Sequence, residues 1–220
     1  MTIQVTTTGT FSQSVDTNLT ALELVNAATP DMGIQVFTKL VGNSDRTAIE
    51  VLQFMTDACE EITRRVDWGN MLAEVELTGT GTWTDFTLPL DFWRLIVGGA
   101  IMFNGKTVRG GLSDSEWNEL TPVEGTPRYY HLRGSTLSFY PYLAASEKIK
   151  IKYVSKSFTV AGQDKIIADD DRMLFPHRLL SKCLIYRWRR HIGQDYEDYQ
   201  AEFEAMLETY AEFDVEDRTP

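Results

Sequence analysis

Cysteine and histidine are scarce in this chain, and the scarcity narrows the chemistry it can carry. The two cysteines, Cys59 and Cys183, each fall in the apolar stripe of an expected helix. There a thiol behaves as a small buried hydrophobe rather than as a nucleophile or half of a disulfide. The three histidines, His131, His177 and His191, are scattered, and none stands at metal-ligand spacing from Cys, Asp or Glu on one element. Neither G-x-S-x-G nor H-E-x-x-H occurs, so the signatures of those hydrolases and metalloproteases are missing. No run is long and apolar enough to span a bilayer. The start, Met1 to Gly9, is Thr-rich and lacks both the basic flank and the apolar centre of a secretory signal. Bases are outnumbered by acids, 21 to 32, for a net charge of −11, which opposes tight binding to a phosphate backbone.

Two stretches imitate functional motifs. Asn104-Gly-Lys-Thr107 resembles the end of a phosphate-binding loop, but Ala100 stands where that loop needs glycine, and a hairpin turn explains the residues better. Asp164, Asp169, Asp170 and Asp171 lack the spacing of a calcium-binding loop and suit solvated helix capping. No catalytic residue, cofactor or metal is expected, and the chain does not read as an enzyme.

What is present is organisation. From Asn43 to Gly69, small and apolar residues recur at Ala48, Ile49, Leu52, Met55, Thr56, Cys59, Ile62 and Val66, laying one stripe along a helix. Asn43 or Ser44 caps it, Asp45 favours its first turn, and Arg64 and Arg65 follow Glu60 and Glu61 at helical spacing. Gly69 stands where a left-handed stop is expected. Before it, Asp16 or Thr17 opens a short helix over Leu19 to Ala28, with Pro30 as its end. After Trp68 the period becomes two. Strands are expected at Ala73–Leu77, Trp83–Leu88, Leu95–Phe103, Tyr129–Arg133, Thr136–Tyr140 and Ile149–Tyr153. Turns fall at Asn104-Gly105 and Gly134-Ser135, and a capping box at Ser113–Glu116 opens a short helix. Asp169 to Asp171 then opens a final helical region that breaks at Gly193 into two helices in series.

The fold class is therefore α+β: a helical bundle from N-terminal and C-terminal helices with an inserted antiparallel β block. The divisions are a flexible arm over 1–17, bundle helices over 18–69, the β block with one short helix over 70–160, and closing helices over 170–215.

Charge segregates in the last quarter. Arg187, Arg189, Arg190 and His191 cluster before Gly193; from Asp195 through Asp217 come Glu202, Glu204 and eight further acids, with no Lys or Arg. A solvated face is the plain reading of such a run. Yet it also carries Tyr196, Tyr199, Phe203, Tyr210 and Phe213, more aromatic surface than an isolated terminal helix needs. Basic cluster and acidic run on one chain suit head-to-tail contacts between copies, or docking onto a basic groove. Arg187, Arg189, Arg190, Asp195 and Glu202 are the candidates for contacts between copies. Trp83, Trp93 and Trp117 among the strands support a competing class, a glycan-binding module that stacks sugars on exposed indoles.

The order of short motifs carries a resemblance. An Ala-Leu-x-x-Val-Asn helix (Ala21 to Asn26) precedes Gly33-Ile34 and the long helix ending near Trp68. Leu88-Pro-Leu-Asp91, Gly-x-Pro-x-x-Tyr at Gly125–Tyr130, Leu-x-Phe-x-Pro at Leu137–Pro141, a Lys/Ile strand and closing helices follow. From Thr20 to Phe213 the chain resembles the head-to-tail adaptor (head-completion, connector) proteins of tailed bacteriophages. The resemblance implies a structural virion protein at the neck, assembled in the host cytoplasm. It further implies a homo-oligomeric ring, commonly of about twelve copies, beneath a portal protein, with genomic DNA passing through without specific binding. The C-terminal segment would reach the portal, making Tyr199, Phe203, Tyr210, Phe213 and Val215 candidates for that interface. The β block would face a downstream tail or stopper protein. A tail-side stopper or tube component fits the same resemblance.

Overall fold

The computed structural model describes residues 19–110 and 112–216, the last five of them by backbone alone. The arm expected over 1–17 lies outside the described residues. The fold is mixed α+β, with five helices and antiparallel sheets. Its described residues divide into two compact units. One is the continuous stretch Leu72–Ser155; the other joins the residues before it to those after it.

The second of these is helical. Helix α1 (Ala21–Met32) opens with a capping box: Thr20 Oγ1 accepts from the Glu23 amide, and the Glu23 carboxylate accepts from the Thr20 amide. Here the structure departs from the sequence expectation, since Pro30 lies inside the helix rather than ending it. A proline removes one i→i−4 donor. The carbonyl left over is that of Asn26, and the neighbouring Thr29 hydroxyl donates to it at 2.8 Å. The helix thus continues to Gly33, whose φ of 68° makes the left-handed cap.

Helix α2 (Arg46–Arg65) is capped by Asp45 itself, whose carboxylate accepts from the Thr47 amide at 2.7 Å. Asn43, expected as the cap, instead accepts from the Asp45 amide. The buried face runs through Ala48, Val51, Met55, Ala58, Cys59, Ile62 and Thr63. It is rotated from the expected stripe, leaving Ile49 55% exposed. The helix ends at Val66 in extended conformation, and Gly69 begins a single 3-10 turn, Gly69–Met71, instead of serving as the stop.

Helix α4 (His177–His191) and helix α5 (Glu197–Glu216) follow in series, separated by Gly193 at φ 72°. Pro176 occupies the position just before α4, where a missing N–H leaves no helical bond unmade. Helix α4 packs against α1, α2 and α5, burying Leu179, Leu180, Cys183, Leu184, Ile185, Tyr186 and Trp188. The acidic triplet does not open α4, which begins only at His177. Asp169 accepts from the Leu40 and Val41 amides at 3.1 and 2.7 Å, and Asp171 from the Ile167 and Ala168 amides. They anchor loops, as carboxylates do wherever adjacent backbone donors lack a partner.

The β unit holds two antiparallel sheets. The larger sets β1 (Leu72–Thr78), β8 (Lys148–Ser155), β4 (Ile101–Phe103) and β5 (Lys106–Thr107) in that order, with β3 (Phe92–Leu95) also on β8. The smaller runs β2 (Phe86–Thr87), β7 (Thr136–Tyr140), β6 (Tyr129–Arg133). Val75 lies opposite Ile151 and Leu77 opposite Ile149, and these side chains join Ile101, Phe103, Leu137 and Phe139 in one core. Glu74 and Glu76 meet Lys150 and Lys148 on the other face, at 3.0 and 2.6 Å. The strand expected over Leu95–Phe103 is broken, because Gly98 and Gly99 both take positive φ between β3 and β4. Asn104 and Gly105, at φ 49° and 75°, make the β4–β5 turn. The short helix α3 (Asp114–Asn118) has the expected capping box on Ser113.

The loop role of the acidic triplet is testable. Replacing Asp169 with Ala should lower unfolding free energy by about 2 kcal/mol, because two backbone donors lose their acceptor. The same change at exposed Asp170 should stay within about 0.5 kcal/mol; urea denaturation of both variants makes the comparison.

Candidate partner interface

The charged residues singled out from the sequence fall on α2, α4 and α5 of the helical unit. Their centre is Glu61, on the half-buried side of α2. Its carboxylate accepts from the Tyr186 hydroxyl at 2.7 Å and from Arg187 Nε at 3.0 Å and Nη2. Cys183 Sγ lies 3.8 Å away. Burial alone would raise the Glu61 pKa, but the Tyr186 and Arg187 hydrogen bonds and the Arg187 and Arg65 charges outweigh it and hold the carboxyl below its ordinary value. Burial, with the neighbouring charge of Glu61, pushes the Cys183 thiol up to about 12. Burial likewise raises Cys59 well above its ordinary value. Neither thiol is a nucleophile in the folded chain.

One turn further along α2, Arg65 forms a two-pronged pair with Glu204 of α5, at 2.7 and 2.5 Å. Helix α2 is therefore tied to α4 through Glu61 and to α5 through Arg65. A cleft of about 520 Å³ opens beside these ties, lined by Phe54, Glu61, Tyr186, Arg187, Arg190, His191 and Gln200.

Most of the expected interface residues are committed within the chain. Arg187 belongs to Glu61. Arg189 donates to the Asp31 and Asp195 carbonyls at 2.7 and 3.0 Å, with its guanidinium 4.6 Å from the Tyr199 ring centre. Glu202 pairs with Lys182 at 2.5 Å, and that ammonium sits 5.0 Å from the Tyr199 ring centre. Phe203, expected to meet a partner, is fully buried against Tyr186 and serves the chain's own packing. Arg190 is exposed beside the Tyr196 ring, and Tyr210 is half-buried. Phe213 and Val215 lie on the α5 backbone, and their side chains are outside the described residues.

Sequence reasoning missed Glu61 as the hub, Lys182, and the Phe54 ring that meets His191 at 5.0 Å. Glu61 and Arg65 were visible as a helical i, i+4 pair, which is 3.5 Å in the structure. Their stronger partners are more than a hundred residues away.

The β unit's aromatics form a cluster of their own. Trp117 stacks on His131 with ring centres 5.0 Å apart, and Trp83 lies between Trp117 and Tyr140. His131 Nε2 reaches Asp114 at 2.7 Å. Trp117 is buried, Trp83 half-buried, and Trp93 37% exposed. Among the described residues, no group of three or more His, Cys, Asp and Glu could hold a metal ion, and no helix is long and apolar enough to cross a membrane.

Helices α1, α2 and α5 all pack on α4, and the strand block lies in sequence between α2 and α4. The model of the SU10 adaptor protein family matches residues 19–220. The chain belongs to that family. The SU10 adaptors are phage head-to-tail adaptors, so the resemblance drawn from the order of short motifs agrees with the family model. Family membership implies a place at the virion neck among other head and tail proteins. No curated protein matches the chain.

For this SU10-family adaptor the Glu61 hub sets a pH response. Its folded pKa lies below the ordinary 4.5, so its stabilisation is complete above that value and is lost as pH falls through the lower folded value. Glu61→Ala should cost about 3 kcal/mol at neutral pH by stranding Arg187 and the Tyr186 hydroxyl. It should also flatten the decline in stability below pH about 4.5. Guanidinium melts of wild type and variant across that range measure both effects.

Proposed function

We propose that this protein is a structural ring component that docks under the portal and extends the DNA channel towards the tail. The observation that carries this reading is the family match over residues 19–220, joined to a helical unit whose polar ties hold α2, α4 and α5 as one block. In this reading the helices act as a bundle that packs copy against copy, in a ring of about twelve. The continuous β unit meets a downstream tail or stopper protein. The C-terminal part of α5, carrying Tyr210, Phe213 and Val215, reaches the portal. Tyr199 is the weaker candidate there, because Lys182 and Arg189 already cover its ring.

Charge suits the channel role. A net charge of −11 per copy keeps DNA from adsorbing to the wall, since phosphate contacts need cations that release counterions. Chemistry by the chain forms no part of the proposal. A glycan platform finds less support: the three indoles share no exposed face, with Trp117 buried beneath His131 and Trp83.

Mixing the protein with portal and imaging by electron microscopy tests the reading. Rings bound to portal are the expected result, and their absence under assembly conditions ends it. Charged replacements at Tyr210, Phe213 and Val215 should lower portal binding at least tenfold, about 1.4 kcal/mol or more, while circular dichroism stays unchanged. Undiminished binding would remove the C-terminal helix from the portal interface.

A further inference from the structure

Among the described residues of the helical unit not every charge has an ion-pair partner, and the leftovers include both signs. Arg65, Lys182 and Arg187 are matched by Glu204, Glu202 and Glu61. Arg190 is not: among the described residues its neighbour is the Tyr196 ring at 5.9 Å, with no carboxylate in ion-pair reach. It stands on the rim of the 520 Å³ cleft with His191, Gln200 and the Phe54 ring. The cleft's own acid, Glu61, is held by Arg187 and Tyr186, and Glu50, 3.9 Å from His191, is held at 2.7 Å by Arg46. The rim therefore offers a cation, an imidazole and an aromatic wall to whatever enters.

On α5 the opposite holds. Asp198 and Glu208 are exposed and carry no ion pair among the described residues. They lie on one helical face with Ala201 and Ala205, also exposed. Ten residues of helix set the two carboxylates about 15 Å apart. Asp198 follows Arg190 closely in sequence, yet the turn at Gly193 and the packing of α5 on α4 keep the two from pairing within one copy.

We infer that the cleft rimmed by Arg190, His191 and Phe54 receives the Asp198–Glu208 face of α5 from a neighbouring copy. Cation and acids sit on different surfaces of the same chain, and in the ring reading their contact is heterologous, the kind that generates a ring when its rotation closes. The occupant is a second copy because the chain itself carries, on the exposed face of α5, the acids that complement the cation on the cleft's rim. The Phe54 wall excludes water from the pair and strengthens it. This assignment rests on the ring reading above and names the surfaces that would build it.

Charge exchange tests it on the full-length protein assembled with portal. Arg190→Glu should raise the protein concentration needed for half-assembly at least tenfold, by mass photometry and electron microscopy. The double change Asp198→Arg with Glu208→Arg should do the same. An equimolar mixture of the two variants should assemble again, because copies that alternate around the ring meet opposite charges at every joint; the triple variant carrying all three changes should likewise restore assembly to within a few-fold of wild type. Arg190→Gln, with circular dichroism, guards against misfolding and should give an intermediate loss. Rings that form normally with Arg190→Glu, or a triple variant no better than its parents, overturn the pairing while leaving the adaptor reading intact. Wild type that forms no ring beside portal overturns both.

Discussion

Helix α4 is too apolar to stand beside water on any but a narrow side, and the helical unit is the consequence. Leu179, Leu180, Cys183, Leu184, Ile185, Tyr186 and Trp188 are all buried, and consecutive positions such as 183 to 186 point around the whole circumference. One neighbour cannot cover such a helix. Helices α1, α2 and α5 each take part of it, two coming from before the β unit and one from after it. Burial of each large aliphatic side chain is worth about 1.5–3 kcal/mol, so leaving out any one of these three would expose several. The polar tips on α4 then fix the register of the covers. Trp188 Nε1 donates to the Met32 carbonyl at the end of α1, and the Tyr186 hydroxyl donates to Glu61 of α2.

The Glu61 hub follows from that burial. A tyrosine and an arginine carried to the edge of a dry interface need an acceptor there, and one carboxylate satisfies both. Such a group adds little over an apolar substitute of the same shape, but it admits few alternative packings. The same logic explains why the basic cluster of the sequence is not a uniform patch. Arg187 faces inward to Glu61, Arg189 ties the α4–α5 turn at Asp195 to the end of α1 at Asp31, and of these three arginines Arg190 is the exposed one.

How much of this could be read from the sequence depends on the range of the interaction. Signals decided within a few residues were legible. The Ser113–Glu116 capping box, the Asn104-Gly105 turn, the alternation of Val75 and Leu77 with Glu74 and Glu76, and the break near Gly193 all appear where local chemistry puts them. Local rules failed where a neighbour supplied what the rule assumed missing. Pro30 did not end α1 because Thr29 satisfied the orphaned carbonyl. Asp169 did not begin a helix because the Leu40 and Val41 amides, far away in sequence, needed an acceptor. The face of α2 turned because α4 packs against it, and tertiary packing rather than the local pattern decides which apolar residues go inside, Val51 and Ala58 among them. At the interface, segregation of charge was visible and its pairing was not, since Phe203 and Glu202 face different neighbours from adjacent positions.

Acidity acts on self-association as well as on DNA. Along β1 and β8 the charges alternate and match, Glu74 with Lys150 and Glu76 with Lys148, so that face contributes no excess. The excess gathers from Asp195 onward, where ten acids occur through Asp217 without a base. Copies that each carry −11 repel at separations beyond a contact, and at physiological ionic strength that repulsion dies away over about 8 Å. A matched pair shielded by an aromatic ring is screened far less than exposed charges are. Repulsion therefore opposes random collisions between copies more than it opposes one seated contact. A strongly acidic chain with a few unmatched cations is in this way biased towards a single mode of association, which a ring with identical joints requires.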